Sequence, residues 1–146
     1  MLYWNADPIA VAVGPLSIHW YGLLFAAAFV VGTGIMGRML LCEGRGKDDL
    51  DPLLGHVVVG ALVGARLGHC LLYDPAYYLA NPLDILKIWE GGLASHGGVI
   101  GILVAVGVFA RGRGVSFWWL LDRIAVPAAL GGAFIRMGNF MNSEIV

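Results

Sequence analysis

In a chain this apolar the residues able to do chemistry are few, and most sit at the ends of hydrophobic runs. His19 and Tyr21 open the first run, His96 opens the third, and Arg136, Asn139, Asn142 and Glu144 close the fourth. Arg66 differs, because it falls inside the second run, where a guanidinium is costly and calls for a polar cavity or partner. His96 belongs to the stretch SHGGVIG, Ser95 to Gly101. A helix starting there offers the free N–H groups of Gly97 and Gly98 and the positive end of its dipole to an anion. Arginine adds a planar fork matched to two phosphate oxygens, and histidine exchanges a proton near neutral pH. These types together suit a grip on a phosphate. The histidines and carboxylates lack close ligand spacing, so no metal is expected, and no cofactor is implied.

Each residue also has a plainer reading. His19 and Tyr21 fit ordinary interfacial anchors, as do His69 and Tyr73. His96 fits a hydrogen-bonded histidine at a helix start, and Arg136 a side chain that snorkels to the headgroups. Residue types alone therefore stop at an outer-leaflet site for an anion or a lipid headgroup.

The elements that must position these groups are apolar runs at about 18–41, 53–73, 93–110 and 117–135. Each is about long enough to cross a ~30 Å hydrocarbon layer as a helix. The expected fold is all-α, a polytopic transmembrane protein with about four spans in one membrane domain over residues 1–146. Composition agrees, since 59% of the residues are hydrophobic and 13% charged, more apolar surface than a soluble domain of this size buries. A formal net charge of -1 gives no basic field, which disfavours a nucleic-acid partner. The first sixteen residues hold no Lys or Arg, so no cleavable signal peptide is expected.

Arg38, Arg45, Lys47, Arg111, Arg113 and Arg123 fall at ends sharing one side, against Lys87 and Arg136 on the other. The positive-inside rule then puts the amino terminus, the Tyr73 to Gly92 loop and the candidate site on the outer side. Cys42 and Cys70 fall near opposite ends of their spans, so a disulfide between them is not expected. Gly60, Gly64 and Gly68 recur every fourth residue, which predicts a close helix–helix contact on one face. Arg66, His69 and Tyr73 share a different face.

Four segments in order carry a resemblance to a known family. They are HWYG at His19 to Gly22, GARLGH around Arg66, GGLASHGG at Gly91 to Gly98, and RMGNFMNSE at Arg136 to Glu144. Their order and spacing resemble the prolipoprotein diacylglyceryl transferase family, the last segment matching its signature most specifically. Asp122 also stands where that family carries an aspartate at the start of its fourth span.

The resemblance implies an enzyme of the bacterial inner membrane, acting at its outer face. It would move the diacylglyceryl group of phosphatidylglycerol onto the lipobox cysteine thiol of a prolipoprotein signal peptide, releasing glycerol phosphate. It further implies that His96 and Arg136 are the catalytic pair, with Tyr21, Asn139 and Glu144 at other important positions. Arg66, Gly97, Gly98 and Asn142 complete the expected substrate-binding set. Similar proteins continue for several more spans, so this amino-terminal part is expected to be inactive alone. The rival from another class is a non-enzymatic transporter or channel segment whose path Arg66 and Asp122 would line.

Overall fold

The computed structural model describes residues 7–14 and 16–143. Two short strands, β1 (Ile9–Val13) and β2 (Leu16–His19), precede helices α1 (Trp20–Cys42) and α2 (Lys47–Leu72). A connecting region follows, with α3 (Pro75–Ala80) and 3-10 turns at Pro82–Leu86 and Ile88–Glu90. Helices α4 (Ser95–Arg113) and α5 (Phe117–Met141) complete the described chain. α1, α4, α5 and most of α2 are long and apolar enough to cross a membrane, so the protein is a polytopic helical membrane protein, as its sequence predicts.

Three details depart from the expected boundaries. The antiparallel hairpin pairs His19 with Ile9 and Ala12 with Ser17, and the Trp20 N–H donates to the Pro8 carbonyl at 3.0 Å. β-branched residues on either side of Gly14, whose φ is 60°, suit paired strands better than helix, so α1 starts at Trp20 rather than 18. α2 starts earlier than expected, because Asp48 and Asp49 occupy its first turn and complement the positive helix end. α5 runs on to Met141, which makes Arg136 and Asn139 helical residues. α4 stops at Gly114 in the left-handed region, φ 64°, as helices commonly do at glycine.

The chain divides into two compact units, Met1–Gly46 with Asp122–Val146, and Lys47–Leu121. In the first, α1 and α5 run antiparallel. A Cβ on Gly138 would lie 2.9 Å from the Tyr21 ring and one on Gly32 would lie 3.3 Å from Pro127 Cβ. At the other end Arg123 grips the Glu43 carboxylate, Nη2 to Oε1 at 2.8 Å and Nε to Oε2 at 3.0 Å.

In the second unit α2 and α4 run antiparallel at a distance only glycine permits. A Cβ on Gly64 would collide with the Gly97 carbonyl oxygen and lie 2.7 Å from Gly101 Cα. One on Gly60 would meet the Gly101 oxygen at 2.6 Å, and one on Gly68 the Gly97 Cα at 2.7 Å. The four-residue glycine spacing therefore makes the close contact that the sequence predicts. Arg113 ties the far ends together, donating from Nη2 to the Asp48 carbonyl at 2.9 Å. Outward-facing Val30, Val59, Val104 and Leu72 remain largely exposed, the surface such spans offer to lipid tails.

Candidate functional site

α4 begins without a side-chain cap. Its N-cap is Ala94 in extended conformation, and its first turn carries no acidic residue. The amides at the start of such a helix have no intrahelical acceptor, so this end keeps an unneutralised partial positive charge. Ala94, Gly97 and Gly98 are buried while Ser95 and His96 are exposed. The alternation follows from packing: Gly97 is pressed onto Gly64 and Gly68, which turns His96 outward on the opposite side of the first turn. Below this end, an open apolar groove of about 810 Å³ follows α2 and α4, lined by residues including Val59, Val63, Leu67, Ile100 and Val104.

Arg66 is 3% exposed, and its donors are directed to backbone carbonyls of the connecting region. Nε donates to Ile85 at 2.9 Å and Nη2 to Asp84 at 2.6 Å. Nη1 donates to both Gly91 and Gly92, the second at 3.2 Å. The Tyr78 ring lies 5.3 Å from the guanidinium carbon, a cation–π contact. Neutral carbonyl dipoles and an aromatic face thus solvate the cation that the sequence showed in an apolar run. Each of these hydrogen bonds from a charged donor contributes roughly 1.5–3 kcal/mol.

Around this clamp the connecting region is dense in polar and aromatic contacts. The Asp84 carboxylate accepts from Tyr77 Oη at 2.6 Å and pairs with Lys87 Nζ at 2.6 Å. Those two bonds, Lys87 foremost, hold the Asp84 carboxyl below its ordinary value. The His69 ring stacks on Tyr73 at 5.4 Å and meets Tyr78 edge-on at 6.1 Å.

In the other unit the signature RMGNFMNSE occupies the end of α5. Gly138 is buried against Tyr21, Arg136 is exposed, and Asn139 and Asn142 are half-buried. Arg136 and Asn139, three apart on a helix, are surface neighbours. The structure therefore brings Tyr21 to the signature segment. Glu144 lies outside the described residues. Cys42 is exposed and Cys70 buried, and both are free thiols.

Comparison with known proteins decides the family. The sequence profile described as prolipoprotein diacylglyceryl transferase matches residues 8–146. The chain belongs to the prolipoprotein diacylglyceryl transferase family. It is 58% identical over 147 residues to a phosphatidylglycerol–prolipoprotein diacylglyceryl transferase of Tolumonas auensis, covering 100% of this chain and 57% of that protein. A protein of the same name from Chloroherpeton thalassium is 47% identical over 146 residues, covering 99% of this chain and 54% of its own length. One from Porphyromonas gingivalis is 49% identical over 144 residues, 97% and 51%. The chain thus spans about half the length of the curated relatives it matches.

Within this diacylglyceryl transferase family member, sequence reasoning named Arg66 but missed its partners. Gly91 and Gly92, with φ of 87° and 75°, present both their carbonyls to one guanidinium nitrogen. A Gly-Gly pair ahead of a helix start was the available signal; Asp84 and Ile85 offered none, because only their backbone is used.

Proposed function

We propose that the full-length protein containing this chain transfers the diacylglyceryl group of phosphatidylglycerol to the lipobox cysteine of prolipoproteins at the outer face of the bacterial inner membrane. The observation that carries the reading is His96, exposed at an uncapped helix start while its neighbours Gly97 and Gly98 are buried, in a chain of this family. With α1, α2, α4 and α5 read as successive crossings, the start of α1, the region between α2 and α4, the start of α4 and the end of α5 fall on one side of the membrane. The excess of arginine at the opposite helix ends makes that side the outer one.

In this reaction a sulfur–carbon bond forms and the glycerol carbon–oxygen bond to phosphate breaks, so a thiol proton must leave and the phosphate gains charge. A cysteine thiol, with pKa near ~8.5, is mostly protonated at neutral pH. His96 accepts that proton as base. Arg136 holds the phosphate, with Asn139, Asn142, Glu144 and Tyr21 completing the headgroup site, and stabilises the developing charge. Gly97 brings the amide end of α4 to the anion; the Gly98 N–H, expected to be free, instead donates to the Ala94 carbonyl at 3.0 Å, the first bond of the helix. The apolar groove along α2 and α4 suits a hydrocarbon chain. The transporter reading has no comparable support, because Arg66 faces loop carbonyls rather than an open path.

Reconstitution of the full-length protein in vesicles with phosphatidylglycerol and a lipobox peptide tests this. A peptide with cysteine should gain the mass of a diacylglyceryl group and the same peptide with serine should not. An unmodified cysteine peptide in the presence of folded protein would contradict the reading.

A further inference from the structure

Two adjacent residues of α2 hold the segment that leads into His96. Arg66 binds the Gly91 and Gly92 carbonyls through Nη1, and the Ala65 carbonyl accepts from the Ala94 N–H at 2.9 Å. The two glycines that Arg66 holds turn the chain with positive φ, a conformation that side-chain-bearing residues adopt only with strain. His96 follows two residues after Ala94, and Gly97 is already locked between Gly64 and Gly68. The segment is thus held at Gly91 and Gly92 by the guanidinium, at Ala94 by the Ala65 carbonyl and at Gly97 by packing. The same guanidinium holds the far side of the connecting region through Asp84 and Ile85, so a single cation sets where that region lies relative to α4.

We propose that Arg66 is a positioning residue, whose clamp on the Gly91 and Gly92 carbonyls fixes His96 for proton transfer; this rests on the transferase reading for its catalytic consequence. Arg66 touches no substrate in this account. Its fork geometry is what matters, because one planar group reaches four carbonyls from two separate stretches, which a lysine ammonium cannot do with the same directions. Gly92 is the clamp's other half: a Cβ there would lie 2.9 Å from Arg66 Nη1 and 2.6 Å from the His69 ring, so Gly92→Ala disturbs the clamp without altering Arg66.

The test uses the full-length protein in lipid nanodiscs, comparing wild type, Arg66→Lys, Gly92→Ala and the double variant. Hydrogen exchange of amides 91–98 should speed up in all three variants while the α1 and α5 amides are unchanged, and the His96 imidazole signal of 13C-histidine-labelled protein should shift or broaden. Per folded molecule, kcat should fall on the order of 10- to 100-fold in each single variant, with KM for phosphatidylglycerol little changed. The double variant should be no worse than the more damaging single, as expected for two parts of one device. Unchanged exchange and an unchanged His96 signal in Arg66→Lys would overturn the clamp. Altered exchange with normal kcat would leave Arg66 a structural residue only and overturn the positioning role. A raised KM with undisturbed exchange would make Arg66 a lipid ligand, which also overturns it. A wild type with no transfer activity contradicts the transferase reading, and exchange and the His96 signal then decide the clamp by themselves.

Discussion

Arg66 Nη1 donates to the carbonyl of Gly92 at 3.2 Å, joining residues 26 positions apart in sequence. That bond converts an apparent liability, a charge within a membrane span, into the tie that holds the approach to His96. His96 and Arg136 are proposed to do different work, so they should fail differently. His96→Asn in the full-length protein should lower turnover by roughly 10²–10⁴-fold, the usual range for a general base, while phosphatidylglycerol still binds. Arg136→Lys keeps the charge but loses the fork, so it should weaken lipid binding as well as turnover. Lipid-binding titrations beside activity assays separate the two. Equal loss of binding in both variants would make His96 a second phosphate ligand.

Gly64→Leu should destabilise the protein by at least the roughly 1–3 kcal/mol typical of overpacking, because its side chain must enter the Gly97 backbone. Gly55→Leu is the control, since nothing lies within 4 Å of a Cβ at that position. Thermal unfolding in detergent should rank Gly55→Leu near wild type and Gly64→Leu well below it. Equal stabilities would mean that the α2–α4 contact does not hold the unit together.

Membrane orientation is open to labelling. In a Cys42→Ser background, Leu83→Cys, at a position 76% exposed, should react with an impermeant maleimide added outside sealed cells. Gly112→Cys should react only after permeabilisation. The reverse pattern would place His96 on the cytoplasmic side.

Four helices were legible in the sequence because apolar runs of span length leave little choice of structure, and Gly60, Gly64 and Gly68 announced their contact by spacing alone. Arg136, Asn139 and Asn142 were legible only as a motif, since a place at or just past a helix end says nothing of chemistry. The hairpin Ile9–His19 was hidden because its first strand, IAVAV, is apolar throughout and shows no polar–apolar alternation. The Arg66 clamp was hidden for a different reason: its acceptors are main-chain carbonyls, which every residue carries, so residue type cannot mark them.

Asp84 gives a pH prediction. Its carboxyl is held below its ordinary value mainly by Lys87 and Tyr77. A depressed folded value contributes stability that is present above the ordinary carboxylate range and lost as pH falls through the folded value. Order in the 73–94 region should therefore not change between pH 8 and 5 through Asp84, and should loosen only below about pH 4. Hydrogen exchange across that range checks it, and Asp84→Asn should remove the acid-side transition. Loosening between pH 7 and 5 that survives in Asp84→Asn would assign the transition to another group.

The central claim is tested most directly by stoichiometry. Full-length protein in vesicles should be given phosphatidylglycerol labelled in its terminal glycerol, together with a lipobox peptide, and both glycerol phosphate release and peptide thiol loss followed. The account predicts one glycerol phosphate released per thiol consumed, with both processes abolished in His96→Asn. Release of glycerol phosphate without thiol loss, or an unchanged rate in His96→Asn, would contradict it.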